Sequence, residues 1–389
     1  MSDVLISTRH RGLAATLVLA LGTFAVGTDA FVVAGFLPSM AESLHTTTAA
    51  AGQSVTVFAV AYAVLAPVLA TATARVPRRT LLVAALAVLG IANIGSAIAP
   101  NLAVLIASRV LAAAGAAVYT PGAGAVSAAL VPPELRGRAL SVVVGGLTIA
   151  TALGVPLGDV AGAWLGWRAA LGLVAALCLL VGLGVYLIMP ALPGGARVPL
   201  RNRLALLRRR SVLAVLPLTV LGMGASYTIY AFSVPALKAV GVAENATTLM
   251  LFLYGLGAVV GNFLSGYTTD RWGPTRILAV GYLSMALALA LLGWFAWTGS
   301  TAQPVVAFLV LVWGASTWTQ TPPQQTRLID AAPSEASVVV SLNASAIYLG
   351  IGTGTLLGGL LITTSPTLVY AAATTIATLA AGYLFATRG

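Results

Sequence analysis

"PALPGGARVPLRNRLALLRRR", residues 190–210, is the longest polar break in the sequence, and it decides how the rest is read. It holds three prolines, two glycines and six arginines, a composition that does not cross a bilayer. On either side the character is the opposite. Of 389 residues, 59% are hydrophobic and only 7% charged, with a mean hydropathy of +1.00. Soluble domains carry about 25% charged residues. No single soluble core buries so much apolar surface, so the expected solvent is a lipid bilayer.

Charge-free stretches run over 43–74, 80–108, 110–133, 169–196, 211–237, 245–269, 277–326 and 336–387. A spanning helix needs about 20 apolar residues, so each is long enough to cross. The two longest are expected to hold two helices each, turning at "TGSTAQP" (298–304) and "TTSPT" (363–367). This places spans near 13–37, 48–73, 79–99, 102–129, 137–163 and 167–189 before the break. After it come 211–238, 245–269, 275–297, 303–326, 335–362 and 366–387. The expectation is an all-α polytopic membrane protein of twelve transmembrane helices: a bundle over 1–189, a basic cytoplasmic linker over 190–210 and a bundle over 211–389. The first apolar run is too long for a secretory signal and eleven similar segments follow, so it reads as a permanent span.

The net charge of +11 is not spread evenly. Arg9, Arg11, Arg75, Arg78, Arg79, Arg136, Arg138, Arg271, Arg276, Arg327, Arg388 and the six linker arginines fall at the termini or even-numbered connections. Arg168 and Lys238 lie on the opposite side, and Arg109 lies within a span. Cytoplasmic loops carry such an excess, so both termini are expected in the cytoplasm. The basic excess reports topology and contact with anionic lipid, not nucleic acid. Cys178 sits alone inside a span, and His10 and His45 lie far apart, so neither a disulfide nor a metal or other cofactor site is expected.

The two halves share features at an offset of 196 residues. "SVVV" occurs at 141–144 and 337–340; Gly154, Gly158 and Gly162 are echoed by Gly350, Gly354 and Gly358; Arg75 is echoed by Arg271. Parallel six-helix repeats place transporter sites near the midplane, between the halves.

Five stretches carry a family resemblance: "GTDAFVVAGFLP" (27–38), "ASRVLAAAGAA" (107–117), "VPPELRGRALS" (131–141), "GGLTIATALGVPLGD" (145–159) and "GYTTDRWGPTR" (266–276). In this order, over nearly the whole chain, the sequence resembles the major facilitator superfamily. Within it the chain is similar to bacterial drug:proton antiporters of the arabinose-efflux-permease and chloramphenicol-exporter type. The resemblance implies a major facilitator fold in a bacterial inner membrane. It also implies that the Gly154-Val155-Pro156-Leu157-Gly158 segment is the antiporter motif that biases such proteins toward export. Read without the resemblance, glycines four apart let helices approach closely and the proline bends the helix.

The loop "GYTTDRWGPTR" matches the family's cytoplasmic gate at Gly266, Asp270, Arg271, Gly273 and Arg276, where Gly273 permits a tight turn. The first-half counterpart "ATATARVPRRT" (70–80) departs from it: Ala70, Ala74 and Pro77 replace the glycine, the acid and the second glycine, leaving Arg75. If a loop latch survives, it is expected in the second half.

Asp29 and Arg109 are charges inside spans, at about 12 Å and about 10 Å from the outer ends of helices 1 and 4. A carboxylate near the bilayer centre costs about 2.5–3.5 kcal/mol on insertion scales, and such residues are functional by default. In the facilitator fold both helices line the central cavity, and Arg109 stands at the family's helix-4 arginine, associated with proton transfer. Two structural readings compete: a static ion pair, or separate bonding to polar neighbours in a wet cavity. The functional reading is that Asp29, desolvated, takes a proton from the outer side and frees Arg109, so proton and substrate compete. Asp159, near the outer end of helix 5, is either a second proton site or an acid hydrated by the outer vestibule.

Substrate contacts are expected from Tyr227 and Tyr230 on helix 7, Trp313, Trp318 and Gln320 on helix 10, and Asn343 on helix 11. Trp164, Trp167, Trp294 and Trp297 read as an outer aromatic belt. The chain has no phosphate-binding G-x-x-x-x-G-K-[ST] motif and no nucleophile with a base, which excludes an ATP-driven pump and argues against an enzyme. The expected function is proton-coupled export of a small amphipathic or apolar compound by a monomer. The alternative is a facilitator or importer of a sugar, nucleoside or similar metabolite.

Overall fold

The computed structural model describes residues 2–132, 136–300 and 302–387, and their side chains except those of 2–13, 137 and 337. Part of "VPPELRGRALS", the side chains of Arg9, His10 and Arg11, and Arg388 lie outside the described residues. Every regular element described is helical. The first half comprises α1 (Ser2–Phe31), α2 (Val33–Ser43), α3 (Thr48–Ala72), α4 (Arg78–Ala97), α5 (Leu102–Ala129), α6 (Arg136–Ile149), α7 (Val155–Leu165) and α8 (Trp167–Ile188). A short α9 (Leu200–Ala205) lies in the linker. Beyond it are α10 (Arg210–Leu213), α11 (Leu216–Tyr230), α12 (Ser233–Ala239), α13 (Glu244–Trp272), α14 (Pro274–Thr298), α15 (Gln303–Thr319), α16 (Thr321–Ala331), α17 (Ala336–Ile362) and α18 (Pro366–Ala386).

Eleven of the helical segments described are individually long and apolar enough to cross a membrane. The tenth crossing differs from the unbroken 303–326 expected: α15 and α16 abut at Gln320, with Pro322 and Pro323 in the first turn of α16. Proline there removes a donor and disfavours continuation of the preceding turn, so the break is local chemistry. Helix 1 does not end near residue 37, before Pro38, as the expected span 13–37 has it. It breaks at Val32 and continues as α2 to Ser43. Side chains such as Leu187, Ile98, Leu180 and Leu360 are exposed on the outer surface, where lipid tails are the expected solvent.

The 196-residue repeat is visible in the backbone. Phe36 leaves helical geometry at φ −122°, ψ 18°, and Phe232, 196 residues later, does so at φ −113°, ψ 28°. The glycine stripes serve these breaks. Gly154, Gly158 and Gly162 lie against Thr28, Val32 and Phe36, and Gly350, Gly354 and Gly358 lie against the 220–232 stretch of helix 7 in the same register. In each half a broken helix is therefore bedded on a partner with no side chains in the way. Replacing Gly354 by valine drives a Cβ into the Gly224 carbonyl and the Thr228 amide, main-chain atoms that cannot rotate aside. We expect a loss of about 1–3 kcal/mol, read as a lower unfolding midpoint in detergent. Gly382→Ala, with nothing within 4 Å of the added carbon, is expected to leave the midpoint unchanged.

Between the halves, α3 packs on α17, α13 on α7 and the preceding 150–154 turn, and α12 on α2. Tyr62 stacks on Tyr348 with ring centroids 3.6 Å apart, Gly352 abuts Val60, Gly359 abuts Gln53, and the Phe232 ring covers Gly52. Along each helix these contacts run from its middle to the end farther from the linker. The seam is closed toward that far face.

The linker is fastened at both ends. Arg78 N donates to Leu192 O at 2.9 Å, Gly195 N to Ala74 O at 2.8 Å, and Thr71 Oγ1 to Val198 O at 3.2 Å. At its other end Arg209 donates to both carboxylate oxygens of Glu335, at 3.1 and 2.8 Å. Those hydrogen bonds hold the Glu335 carboxyl below the usual carboxylate range. A carboxyl depressed in this way contributes its link at neutral pH and loses it as pH falls through the depressed value. Lower amide protection over residues 206–213, relative to the intrinsic exchange rate at the same pH, is therefore expected in Glu335→Gln at pH 7, and in the unaltered protein only under acid.

Candidate functional site

Among the described residues, the buried charged side chains are Asp29 and Arg109, at 0% and 1% exposure, and they meet. Arg109 Nη1 donates to Asp29 Oδ1 at 2.5 Å and Nη2 to the Asp29 main-chain oxygen at 3.0 Å. That carbonyl lies in the last turn before the break at Val32, where helices leave acceptors without intrahelical partners. The break thus supplies a second oxygen for the guanidinium. The ring of Phe58 lies 4.5 Å from Arg109 Cζ, a cation–π contact from α3. Asp29 Oδ2 and Arg109 Nε have no hydrogen-bond partner. The pair is therefore neutral as a unit but incompletely bonded, with capacity to rearrange.

An aromatic cluster adjoins it across the seam. Phe31, two residues beyond Asp29, meets Tyr227, Tyr230 and Trp318 at centroid distances of 5.9, 6.3 and 6.2 Å. Tyr230 also meets Tyr254 at 4.6 Å and Trp313 at 6.3 Å. Trp313 is tied down, its Nε1 donating to Ser226 Oγ at 2.8 Å, while Ser226 also bonds Thr317 at 2.7 Å. The hydroxyls of Tyr227 and Tyr230 are buried without partners. The Trp318 indole N–H lies toward the Tyr254 hydroxyl but falls outside hydrogen-bonding geometry.

The remaining expected contacts lie elsewhere. Gln320, at the helix-10 break, accepts from Tyr282 OH at 3.2 Å and donates to Thr317 O at 2.9 Å, so it packs within the second half. Asn343 accepts from Thr219 Oγ1 at 2.8 Å, in a polar group with Gln324 and Arg327. Thr219 is eight residues before Tyr227, so this group lies about 12 Å nearer the linker face than the tyrosine.

Asp159 does not join the Asp29–Arg109 pair. Its Oδ2 accepts from Thr248 Oγ1 across the seam, and its backbone abuts Gly35. Gly35 is six residues beyond Asp29, about 9 Å further along the helix. The 150–154 turn before Pro156 is a π-type widening, which accommodates a residue that cannot donate and crowds the preceding turn. In the second-half loop Gly273 adopts φ +83°, and Asp270, Arg271 and Arg276 are exposed. Asp270 is in neither of the ion pairs found among the described residues. Arg75 is exposed too, and its main chain is crowded by Gly194 of the linker. Trp164, Trp294 and Trp297 are exposed as a belt requires; Trp167 is not, being 3% exposed beneath the Arg168 guanidinium.

Phe31, Phe58, Tyr254, Tyr62 and Tyr348 were not among the expected site residues. The repeat offset relates three of them: Phe31 lies 196 residues before the expected Tyr227, and Phe58 lies 196 before Tyr254. Tyr62 and Tyr348 carry no such signal.

The Major Facilitator Superfamily model matches residues 19–355. The inner membrane transport protein YdhP of Escherichia coli strain K12 is 32% identical over 347 residues, covering 89% of this chain and 88% of the relative. A chloramphenicol resistance protein of Streptomyces lividans is 33% identical over 345 residues, covering 87% and 86%. Among solved structures, a D-xylose–proton symporter aligns with a TM-score of 0.75 at 19% identity, covering 96% of this chain and 97% of its own. A bacterial homologue of the human lysosomal transporter Spinster aligns at 0.71 and 18% identity, covering 98% and 96%.

Proposed function

The chain belongs to the Major Facilitator Superfamily of membrane transporters, and on that premise we propose that it exports small amphipathic or apolar compounds in exchange for protons. The observation that carries the reading is the Asp29–Arg109 pair: two opposite charges, fully buried, held by a helix break and left with an unpaired oxygen and nitrogen. With both termini in the cytoplasm, the closed far face is the outer side. A proton reaching Asp29 from outside neutralises the carboxylate and releases Arg109 from Oδ1. Release alters the hold on the Asp29 carbonyl and hence on the break of helix 1. Phe31, in the same turn, then moves relative to Tyr227, Tyr230 and Trp318. Proton and substrate are thus linked through one short segment, as antiport requires.

Export is supported by the Gly154–Pro156–Gly158 segment, which lies directly on the broken stretch of helix 1, and by the similarity to a chloramphenicol resistance protein. The site's aromatic, sparsely polar lining suits amphipathic compounds better than sugars, which need several hydrogen-bonding side chains.

The test is uptake into inside-out vesicles under an imposed pH gradient, across a panel of neutral, cationic and sugar compounds. Gradient-dependent accumulation of amphipathic compounds is expected. Accumulation indifferent to the gradient, or confined to sugars, contradicts the reading.

A further inference from the structure

We infer that the transported compound is a neutral aromatic molecule bearing hydrogen-bonding groups, and that it inserts between Phe31 of the first half and Tyr227, Tyr230 and Trp318 of the second. The inference rests on the proposed export function and names its substrate class. Phe31 is the first-half side chain seen in ring contact with this cluster, and its three partners all come from the other half. A planar molecule entering here replaces ring–ring contacts with contacts of the same kind, so little apolar stabilisation is lost.

The polar tips give the second requirement. The hydroxyls of Tyr227 and Tyr230 are buried with no partner, and the Trp318 N–H has no well-aligned one. Buried polar atoms are almost always satisfied, so the unpartnered tips of three side chains in one aromatic cluster call for a partner, which a ligand can supply. Indole can only donate, so the molecule presents at least one acceptor; the tyrosines can donate or accept. Trp313 makes the contrast, because its N–H is already used by Ser226.

Charge decides against ions. Among the described residues the fully buried acid is Asp29, and it is engaged by Arg109. A cation at the cluster would have to take Asp29 from Arg109 or lie unneutralised beside a buried guanidinium. An anion faces the same conflict over Arg109. A neutral ligand leaves the pair intact and needs only the vacant hydrogen bonds.

The experiment uses the purified full chain in detergent without a gradient. The probes are N-phenylbenzamide, bibenzyl as an analogue of similar size without polar groups, and tetraphenylphosphonium as a lipophilic cation. Binding is read as ligand-dependent thermal stabilisation. N-phenylbenzamide is expected to bind more tightly than either other probe. In the Tyr227→Phe, Tyr230→Phe double variant its apparent affinity falls about tenfold or more, while the weaker binding of bibenzyl is unchanged. Because phenylalanine keeps the ring packing, the ligand-free unfolding midpoint is expected to stay within a few degrees of the parent. Tighter binding of tetraphenylphosphonium, or amide binding indifferent to the tyrosine hydroxyls, overturns the inference. Those failures are separable from failure of antiport. Hydroxyl-dependent amide binding with gradient-independent transport defeats antiport alone; gradient-driven export of cations defeats the substrate class alone.

Discussion

Arg109→Ala is expected to abolish transport and to destabilise the fold by about 3–5 kcal/mol, the range for removing one partner of a buried ion pair. The cost arises because Asp29 is fully buried: without the guanidinium its carboxylate has no counter-ion, and the Asp29 carbonyl loses its donor at 3.0 Å. Arg109→Lys keeps the charge but not the fork. An ammonium on an unbranched stem does not reproduce Nη1 on Oδ1, Nη2 on the carbonyl and a flat face on Phe58 together. It is therefore expected to restore part of the stability and little of the transport. Thermal unfolding in detergent and vesicle transport, measured on the same preparations, separate the two effects. If Arg109→Ala unfolds at the parental temperature, the pair does not hold this break.

Gly158→Ala carries the second large expected effect. An added Cβ at Gly158 collides with one methyl group of Val32, at the point where helix 1 breaks. The helix has to move away from α7, and Asp29, three residues earlier, moves with it. We expect transport to fall about tenfold or more, with a stability loss of about 1–3 kcal/mol. The obstacle is a side chain, so the effect is repairable: Val32→Ala removes the opposing methyls, and the double variant is expected to recover most of both losses. Such non-additivity marks direct contact. Gly354 in the second half has no equivalent repair, because its obstacles are main-chain atoms. If Val32→Ala fails to rescue Gly158→Ala, the stripe does not act through the break.

Much of this architecture was legible in the residues because the bilayer simplifies the code. Charge is so costly in lipid that charge-free runs delimit the spans, and an offset of 196 residues relates the halves down to the φ of Phe36 and Phe232. Similar depth on helices 1 and 4 allowed Asp29 to meet Arg109 but left separate bonding to polar neighbours equally open; the structure shows the pair. The breaks were harder to read. Pro38 looked like a terminus, yet the helix is interrupted at Val32, leaves helical geometry at Phe36 and continues to Ser43, because the glycine stripe opposite gives the bent segment a bed. Gln320 was expected as a substrate contact from an unbroken helix; it stands at the break between α15 and α16 and bonds Tyr282 and Thr317 of its own half. Asp159 could not be placed from depth alone, since its partner Thr248 comes from the other half. Single aromatics in apolar helices carry no periodic signal, which left Phe31 and Tyr254 unmarked until the repeat offset was applied to them.

The most direct test of the central claim, that Asp29 carries the coupling proton, compares two modes of transport in Asp29→Asn. Asparagine keeps the size of the side chain and an oxygen for Arg109 but cannot exchange a proton. In vesicles, the variant is expected to lose gradient-driven accumulation at least tenfold while retaining substrate exchange with no gradient imposed. Full gradient-driven accumulation by Asp29→Asn would contradict the account.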